Sequence, residues 1–305
     1  MSGQIHREQS SRLSGGSNYR ELLLAGLPVT ERRLQLAGVS TAVLEGGAGP
    51  PVVLLHGQGA FAAKWMRVIP GLVRTHRVVA PDLPGHGTSE VTDGPLDAER
   101  VFPWLGELME RTCPSPPSLV GHGLGGAIAA RFARDQGDRL SRLVLVDAFG
   151  LGRFRPSPSF ALALIPFLAR PTERTHDRLW RRCAFDLDGL RQQMGEPWEP
   201  FAAYNLDRAR TPSVKAALRI LMRQLGVPAI PSADLARIAV PTTLIWGRHD
   251  LATRLRIAEA TSVSYGWPLH VIENAAADPP IEQPEAFLQA LYAALGTPAR
   301  REVAV

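Results

Sequence analysis

Six short runs of this sequence are dominated by apolar residues. They occupy residues 51–55, 77–80, 118–120, 143–146, 242–246 and 269–272. Apolar runs of this length are typical of parallel strands that are buried on both faces. Segments with helical periodicity lie between them, at residues 61–74, 96–111, 124–136, 252–262 and 284–295. The alternation predicts an α/β fold, in which helices cover both faces of a mostly parallel sheet.

The first part of the chain has a different pattern. Residues 1–18 are polar and rich in serine and glycine, which predicts a flexible N-terminal arm. A short helix is predicted over residues 19–27. Two segments with clustered apolar residues, 31–36 and 40–44, flank Gly38, and this arrangement predicts a β-hairpin.

Between residues 149 and 231 the short apolar runs are absent. Helical stretches with several aromatic side chains replace them, and prolines interrupt these stretches. We interpret this segment as a helical cap inserted into a core that comprises residues 19–148 and 232–305. Additional core helices are the alternative, but so long a stretch without a strand favours a cap.

The charge pattern argues against nucleic-acid binding. The net charge is +5 and the pI is about 9.7, but the basic residues are almost all arginines dispersed along the chain. Aromatic residues do not alternate with the basic residues, and a helix-turn-helix pattern is absent. We therefore expect the arginines to form a solvated surface. No apolar run is long enough to cross a bilayer, and the first residues contain no apolar signal sequence. We therefore expect no membrane association and a cytoplasmic location.

Two cysteines, Cys113 and Cys183, lie far apart in the sequence. Neither belongs to a disulfide or zinc-binding pattern, so we expect both to pack inertly as free thiols. The chain also contains no dinucleotide fingerprint and no metal-ligand cluster. We therefore expect neither a cofactor nor a metal.

One segment, residues 118–131, carries a catalytic signature with its central residue replaced. A strand-length run is followed by the turn GHGLGG and an alanine-rich helical stretch. This is the strand–turn–helix setting of a nucleophile elbow, G-x-S-x-G, whose serine stands on a strained turn. Here the central residue is Gly123, so the side chain that would act as nucleophile is missing.

Four further motifs accompany LVGHGLGG along the chain. They are LLHGQG (54–59), APDLPGHGTS (80–89), LIWGRHD (244–250) and IENAAADPPIEQPEAF (272–287). In this order the five resemble the motifs of the α/β-hydrolase family, the last one matching its histidine segment A-G-H-x-P-x-x-E-x-P-x-x-F. The resemblance covers nearly the whole chain. It implies a capped hydrolase fold like that of esterases, epoxide hydrolases and meta-cleavage-product hydrolases.

The resemblance assigns a role to each matching position. Asp250 stands at the acid, which holds the tautomer of the histidine and stabilises its imidazolium. The backbone N–H groups of Gln58 and Leu124 stand at the oxyanion donors. Gly123 stands at the nucleophile and Ala277 at the histidine, so only the acid of the triad remains. Loss of a triad member leaves roughly a thousandfold to ten-thousandfold acceleration over water.

Other residues are candidates to replace the missing base. Asp278 follows Ala277 and acts on water if its carboxylate faces the pocket. His249 lies on a loop that the family places on the active-site side, and Asp250 is itself a carboxylate. Structural roles are favoured for the histidines, including His122 beside the elbow centre.

Three hypotheses on function follow. The chain is a pseudo-hydrolase that binds a ligand, or an enzyme that uses the oxyanion donors for a reaction without a nucleophile. Alternatively, it is an active hydrolase of carboxylic esters or C–C bonds in which a non-standard base activates water. A third origin is deliberate substitution in an active hydrolase, but alanine is the commoner replacement for serine, which favours natural divergence. The resemblance implies a pocket for a small hydrophobic molecule between sheet and cap. The sequence does not determine the oligomeric state.

Overall fold

A computed structural model of the chain describes residues 18–297, and within this range nine strands form one sheet. The strands are β1 Thr30–Leu36, β2 Val39–Gly46, β3 Pro51–Leu55, β4 Arg77–Pro81, β5 Glu90–Val91, β6 Ser118–His122, β7 Arg142–Val146, β8 Thr242–Gly247 and β9 Leu269–Ile272. Their order is β1-β2-β4-β3-β6-β7-β8-β9, and β5 pairs with β2. The pairs formed by β2 are antiparallel, and every pair from β4–β3 to β8–β9 is parallel. The predicted α/β fold with a mostly parallel sheet is confirmed.

Helices precede, connect and cover the strands. They are α1 (residues 18–24), α2 Ile69–Leu72, α3 Ala98–Thr112, α4 Leu124–Gln136, α5 Pro158–Ala169, α6 Glu173–Cys183, α7 Leu187–Met194, α8 Trp198–Arg210, α9 Pro212–Leu221, α10 Ser232–Leu235, α11 Leu255–Tyr265, α12 Pro279–Glu282 and α13 Pro284–Leu295. Two short 3₁₀ helices, Ala62–Trp65 and Gly137–Arg139, and one π-helical turn, Met222–Gly226, complete the set. The predicted arm lies outside the described residues except for Asn18, which begins α1.

The sheet separates two apolar layers because neighbouring strand residues face opposite sides. In β3, Val53 and Leu55 pack in one cluster with side chains of α3 and α4. Val52 and Leu54 belong to the other cluster, which includes residues of α2 and α13. Every residue of β3 is buried, as its unbroken apolar sequence predicts. The sheet thus has helices on both faces and places the ends of its parallel strands at a common edge.

Two predicted helices differ from the structure. The helix predicted over residues 61–74 is broken into Ala62–Trp65 and Ile69–Leu72. Pro70 has no N–H to donate to the carbonyl of Met66, and it stands in the first turn of the second helix, where proline is tolerated. The helix predicted to begin at Ala252 begins at Leu255, and the Ala252 N–H donates to the Asp250 carboxylate.

The cap segment, residues 149–231, contains α5 to α9 and no strand. Its inner side chains Trp180, Phe201 and Tyr204 form one apolar cluster with Phe61 and Met66 of the core. The cap therefore packs directly over the loop that follows β3. Its exact limits as a domain stay a prediction.

Candidate active site

The turn between β6 and α4 has the geometry of a nucleophile elbow. Gly123 stands between them with φ 51° and ψ −113°, a backbone conformation that strains most L-residues. The neighbouring glycines permit a close approach of the backbone. A Cβ on Gly125 would lie 2.5 Å from the Leu55 carbonyl oxygen, and one on Gly121 would lie 2.4 Å from the Gly125 carbonyl oxygen. The sharp turn is thus complete although its central side chain is missing.

The Gln58 side chain occupies the space beside Gly123. A Cβ added to Gly123 would lie 2.3 Å from Gln58 Oε1, well inside contact distance. The same oxygen accepts a hydrogen bond from the Leu124 backbone N–H at 3.3 Å. Leu124 is one of the two predicted oxyanion donors. A side chain of the oxyanion loop therefore sits where a nucleophile and a substrate oxygen would compete for room.

The loop after β3, which carries the predicted oxyanion donor Gln58, is held by His56. Its Nδ1 donates to the Gly57 carbonyl at 2.8 Å, and its Nε2 accepts from the Leu83 N–H at 2.9 Å. Burial, together with the nearby His86, lowers the pKa of His56 to about 3, so the ring is neutral near pH 7. This neutral ring ties the loop after β3 to the loop after β4.

The predicted acid follows β8 and binds its own loop. Asp250 Oδ1 accepts from the Ala252 N–H at 2.7 Å, and Oδ2 accepts from the Thr253 hydroxyl. Within residues 18–297 no histidine donates to this carboxylate. Burial raises the pKa of Asp250 to about 6, even though these hydrogen bonds lower it.

A second buried carboxyl, Asp147, follows β7. Its Oδ1 accepts from the Gly247 N–H at 3.0 Å, while Oδ2 has no partner among the described residues. Burial and then the charge of Asp250 raise the pKa of Asp147 well above its ordinary value. The Thr253 hydroxyl lies 3.1 Å from the Asp147 carbonyl oxygen, so one hydroxyl contacts both loops.

The predicted histidine position, Ala277, is fixed between the cap and the elbow. Its N–H donates to the Cys183 carbonyl of the cap at 2.9 Å. Its carbonyl accepts from His122 Nε2 at 2.8 Å. The acid loop joins the same segment, since the His249 N–H donates to the Ala275 carbonyl at 3.0 Å. The loops that carry the predicted triad positions are therefore adjacent.

Asp278, the predicted substitute base, forms an ion pair. Its Oδ2 lies 2.7 Å from Lys64 Nζ, and the two side chains are 7% and 12% exposed. The other oxygen, Oδ1, is buried and has no partner among the described residues. The Lys64 ammonium lies 4.9 Å from the centre of the Trp180 ring and 5.8 Å from that of Phe201. A lysine and two aromatic rings thus surround the carboxylate that stands next to the missing histidine.

Glu282 is a site residue that the sequence patterns alone did not single out. Its Oε1 accepts from the N–H groups of Ala276 and Asp278, and its Oε2 accepts from the Phe185 N–H of the cap. Burial raises the pKa of Glu282 to about 7. A signal for it was present, because Glu282 is the first glutamate after the histidine position in the family's histidine segment. Lys64 had no such signal, as its partner follows it by more than two hundred residues.

His249 lies apart from this cluster as a side chain. It is exposed and stacks on Phe185, with 4.6 Å between the ring centres. It makes no hydrogen bond through its ring among the described residues. Of the three candidate bases, Asp278 and Asp250 are buried and His249 faces the surface.

At two of the predicted catalytic positions, the nucleophile and the histidine, the chain has a glycine and an alanine. Residue 123 offers no oxygen for attack on a carbonyl, and residue 277 offers no proton acceptor. Within residues 18–297 no group of histidine, cysteine or acidic side chains is arranged to hold a metal ion.

The sequence comparison decides the family. The alpha/beta hydrolase family matches residues 52–290, which is more than three quarters of the chain. The chain belongs to the α/β-hydrolase family. The predicted resemblance is therefore confirmed.

Individual relatives agree with this assignment. The chain is 31% identical to the magnesium-chelatase 30 kDa subunit of Rhodobacter capsulatus, over 69% of this chain and 74% of that protein. It is 37% identical to the pimeloyl-[acyl-carrier protein] methyl ester esterase of Aeromonas hydrophila, but that match spans 35% of this chain and 41% of the esterase. The structure of 2-hydroxy-6-oxo-6-phenylhexa-2,4-dienoate hydrolase from Rhodococcus superposes with a TM-score of 0.77 at 24% identity, covering 88% of this chain and 99% of that one. The last comparison concerns the fold alone.

Two further findings concern the rest of the surface. No helix within residues 18–297 has the length and apolarity to cross a bilayer. An open groove of about 590 Å³ runs between β9 and α13 at the outer edge of the sheet. The lining of this groove includes none of the predicted catalytic positions. The predicted ligand pocket between sheet and cap stays a prediction.

Proposed function

We propose that this chain is a non-hydrolytic member of the α/β-hydrolase family that binds a small hydrophobic molecule between sheet and cap. The observation that carries the proposal is the position of Gln58. Its amide fills the space that a nucleophile's side chain needs at Gly123, and it occupies the Leu124 N–H. A site adapted to serine chemistry keeps both places open for the substrate.

The histidine position supports the same conclusion. Ala277 has no side chain that transfers a proton, and its neighbour Asp278 is engaged with Lys64. The Lys64 ammonium lies 2.7 Å from Oδ2 of this carboxylate, so that oxygen is not free to accept a proton from water. Two of the three roles in the triad are therefore vacant, and the residues nearby do not fill them.

The surroundings of Lys64 favour a ligand that is largely apolar and carries a negative or polar end. Trp180 and Phe201 flank the ammonium group. Such a lining binds an apolar body, while a few polar groups fix its orientation. The Lys64 ammonium is a donor in this region that a carboxylate or carbonyl oxygen would approach.

A binding role also agrees with one relative. The magnesium-chelatase 30 kDa subunit is named as a part of an assembly and not as a hydrolase. The esterase relative matches a much smaller part of its own length. An accessory role for this chain beside another enzyme is thus compatible with the family assignment.

The test compares the chain with a restored triad. A panel of short- and medium-chain esters is offered to the native chain and to Gly123→Ser/Ala277→His. We expect no turnover by the native chain and measurable turnover by the double variant. Hydrolysis by the native chain would overturn the proposal, and if Asp278→Asn abolished it, the alternative hydrolase with Asp278 as base would replace it.

Binding is tested on the native chain. We expect hydrophobic carboxylic acids to raise its thermal unfolding temperature in proportion to the logarithm of their concentration, without product formation. Lys64→Met/Asp278→Leu removes the ion pair as a unit and should abolish the shift. Arg74→Met, which removes an exposed cation elsewhere, is the control and should keep it. No shift with any acid of the panel would contradict the binding role.

A further inference from the structure

The outer face of helix α5 is an exposed apolar stripe. Leu162, Ile165 and Leu168 are 71%, 64% and 47% exposed. They lie three residues apart and therefore on one side of the helix. The other large apolar side chains that are exposed within residues 18–297 stand singly on four different segments, at Leu22, Phe185, Val227 and Val263. Only α5 concentrates them in one element of the described chain.

The opposite face of α5 holds the helix to the protein. Phe160 and Ala163 are buried and pack with Leu179 of α6 and with Ala252 of the core. The Ser157 hydroxyl caps the first turn by accepting from the Phe160 N–H. The exposed stripe is therefore presented by a helix whose position is already fixed.

Arginines surround the stripe. Residues 153–182 contain seven arginines and two acidic residues, an excess of five that equals the net charge of the whole chain. Arg153 and Arg155 precede α5 and Arg170 follows it, and all three are exposed. None of these three forms an ion pair with a residue in the described part of the chain.

The geometry points to docking of α5 on an anionic lipid surface, and we propose that this face of the cap binds membranes peripherally. A helix with a Leu/Ile face and cationic flanks lies in the interface, with its apolar side chains inserted and its arginines among the phosphates. The expectation of no membrane association rested on the lack of a spanning segment. Docking of this kind needs none.

Charge and shape favour a lipid surface, rather than a second copy of the chain or a nucleic acid, as the partner of α5. Two copies of the chain that met through α5 would bring two strongly positive segments together, which opposes a dimer. A nucleic acid would match the arginines but not the three apolar side chains between them. A lipid interface satisfies both features, because its anionic headgroups lie directly above its apolar layer.

The experiment is co-sedimentation of the full chain with vesicles. We expect binding to phosphatidylcholine vesicles that contain phosphatidylglycerol, little binding to pure phosphatidylcholine, and a decrease as salt is raised. Arg153→Gln/Arg155→Gln/Arg170→Gln should lower the partition coefficient by about a hundredfold. Leu162→Ser/Ile165→Ser/Leu168→Ser should lower it by at least about tenfold.

Matched controls test whether vesicle binding depends on α5 and its flanking arginines or on exposed arginines and apolar side chains in general. Arg74→Gln/Arg111→Gln/Arg256→Gln removes three exposed arginines elsewhere, and Val263→Ser removes an exposed apolar side chain on α11. Both should bind like the native chain. Equal loss in the patch and control variants would overturn the proposal.

Two further outcomes would also overturn it. Sedimentation velocity that shows a dimer, dissociated by the stripe variant, would assign α5 to self-association. Binding to polyglutamate that persists in the stripe variant, without binding to anionic vesicles, would assign the arginines to an acidic protein partner. These outcomes are independent of the test for hydrolysis, because none of the patch residues lies among the predicted catalytic positions.

Discussion

At the scale of single residues, the side chain of Gln58 fills the space beside Gly123, the predicted nucleophile position. Protein interiors do not keep empty space where a flexible side chain can fill it. Gln58 fills it and also satisfies the Leu124 N–H. A substitution that restores only the serine thus meets a second obstacle that is not visible in the elbow motif itself.

We therefore predict that the restored triad improves when Gln58 is shortened. Gly123→Ser/Ala277→His/Gln58→Ala should hydrolyse an aryl ester with a kcat at least about tenfold above that of the double variant. The reason is that an oxyanion donor is worth about a hundredfold to a thousandfold when free, and alanine keeps the backbone N–H of residue 58. Steady-state kinetics on one ester checks this. An unchanged kcat would mean that the Gln58 side chain moves away from the Leu124 N–H at no measurable cost in free energy.

Glu282 gives the second residue-scale prediction, which concerns pH. Its pKa is raised from 4.5 to about 7 in the folded protein. The folded state therefore binds a proton that the unfolded state releases between these values, and stability from this group falls as pH rises through 7. Glu282→Gln stays neutral throughout. From pH 5 to pH 8 its unfolding free energy should rise relative to that of the native chain by about 2 kcal/mol.

Urea unfolding at several pH values measures that difference. The comparison of variant with native chain cancels the buried histidines, which titrate in the opposite sense in both proteins. Glu285→Gln, which removes an exposed carboxylate three residues away, is the control for the substitution itself. A flat difference for Glu282→Gln would show that the carboxylate stays ionised in the folded state.

At the scale of elements, the sequence predicted those strands and helices whose limits depend on neighbouring residues. The run Pro51–Leu55 was predicted within its observed limits, because a strand buried on both faces needs an unbroken apolar sequence. The limits of Leu269–Ile272 were also predicted, although most of this strand is only partly buried. Helix α13 was also predicted within its limits. The elbow and its missing serine were equally visible, since five consecutive residues define them.

Contacts between distant residues could not be predicted in the same way. The ion pair of Lys64 with Asp278 and the placement of Gln58 depend on how loops meet after folding. The exposed stripe on α5 has the same origin, since its apolar sequence alone does not show which face the core covers. Such features belong to the packing of elements and not to their formation.

Helix α1 provides the prediction at this scale. Arg20 is 5% exposed, and its Nη1 lies 3.0 Å from Asp82 Oδ2 and 3.4 Å from the Tyr204 hydroxyl of the cap. Arg20→Met leaves Asp82 without its counter-ion and should cost about 3 kcal/mol of unfolding free energy in urea. The cap should also be cleaved faster by trypsin under native conditions, since one of its ties to α1 is lost.

The control for this experiment is Arg111→Met, which removes an exposed arginine from the end of α3. It should change the unfolding free energy by less than about 0.5 kcal/mol. A similarly small cost for Arg20→Met would show that Asp82 is held sufficiently by the backbone N–H groups of Ala62 and Thr88, which donate to its carboxylate.

At the scale of the whole molecule, core and cap are joined by polar contacts as well as by the apolar cluster. The Glu282 carboxylate binds the Phe185 N–H, and the Ala277 N–H binds the Cys183 carbonyl. Arg208 of α8 donates to the Gly87 carbonyl at 3.0 Å. Each of these bonds links the cap to a loop that carries a predicted site residue or a family motif.

This arrangement predicts that core and cap unfold in one step. In the native chain, tryptophan fluorescence reports on both parts, because Trp180 and Trp198 lie in the cap while Trp104 and Trp246 lie in the core. In Trp180→Phe/Trp198→Phe it reports on the core alone. Urea transitions of the two proteins, each followed by fluorescence and by far-ultraviolet circular dichroism, should have coincident midpoints within each protein. The contrary outcome has two parts. In the native chain, part of the fluorescence change would precede the circular dichroism transition, and in the variant this early part would be absent. The cap would then unfold independently of the core. The bonds through Phe185 and Cys183 would then be too weak to couple the cap to the core.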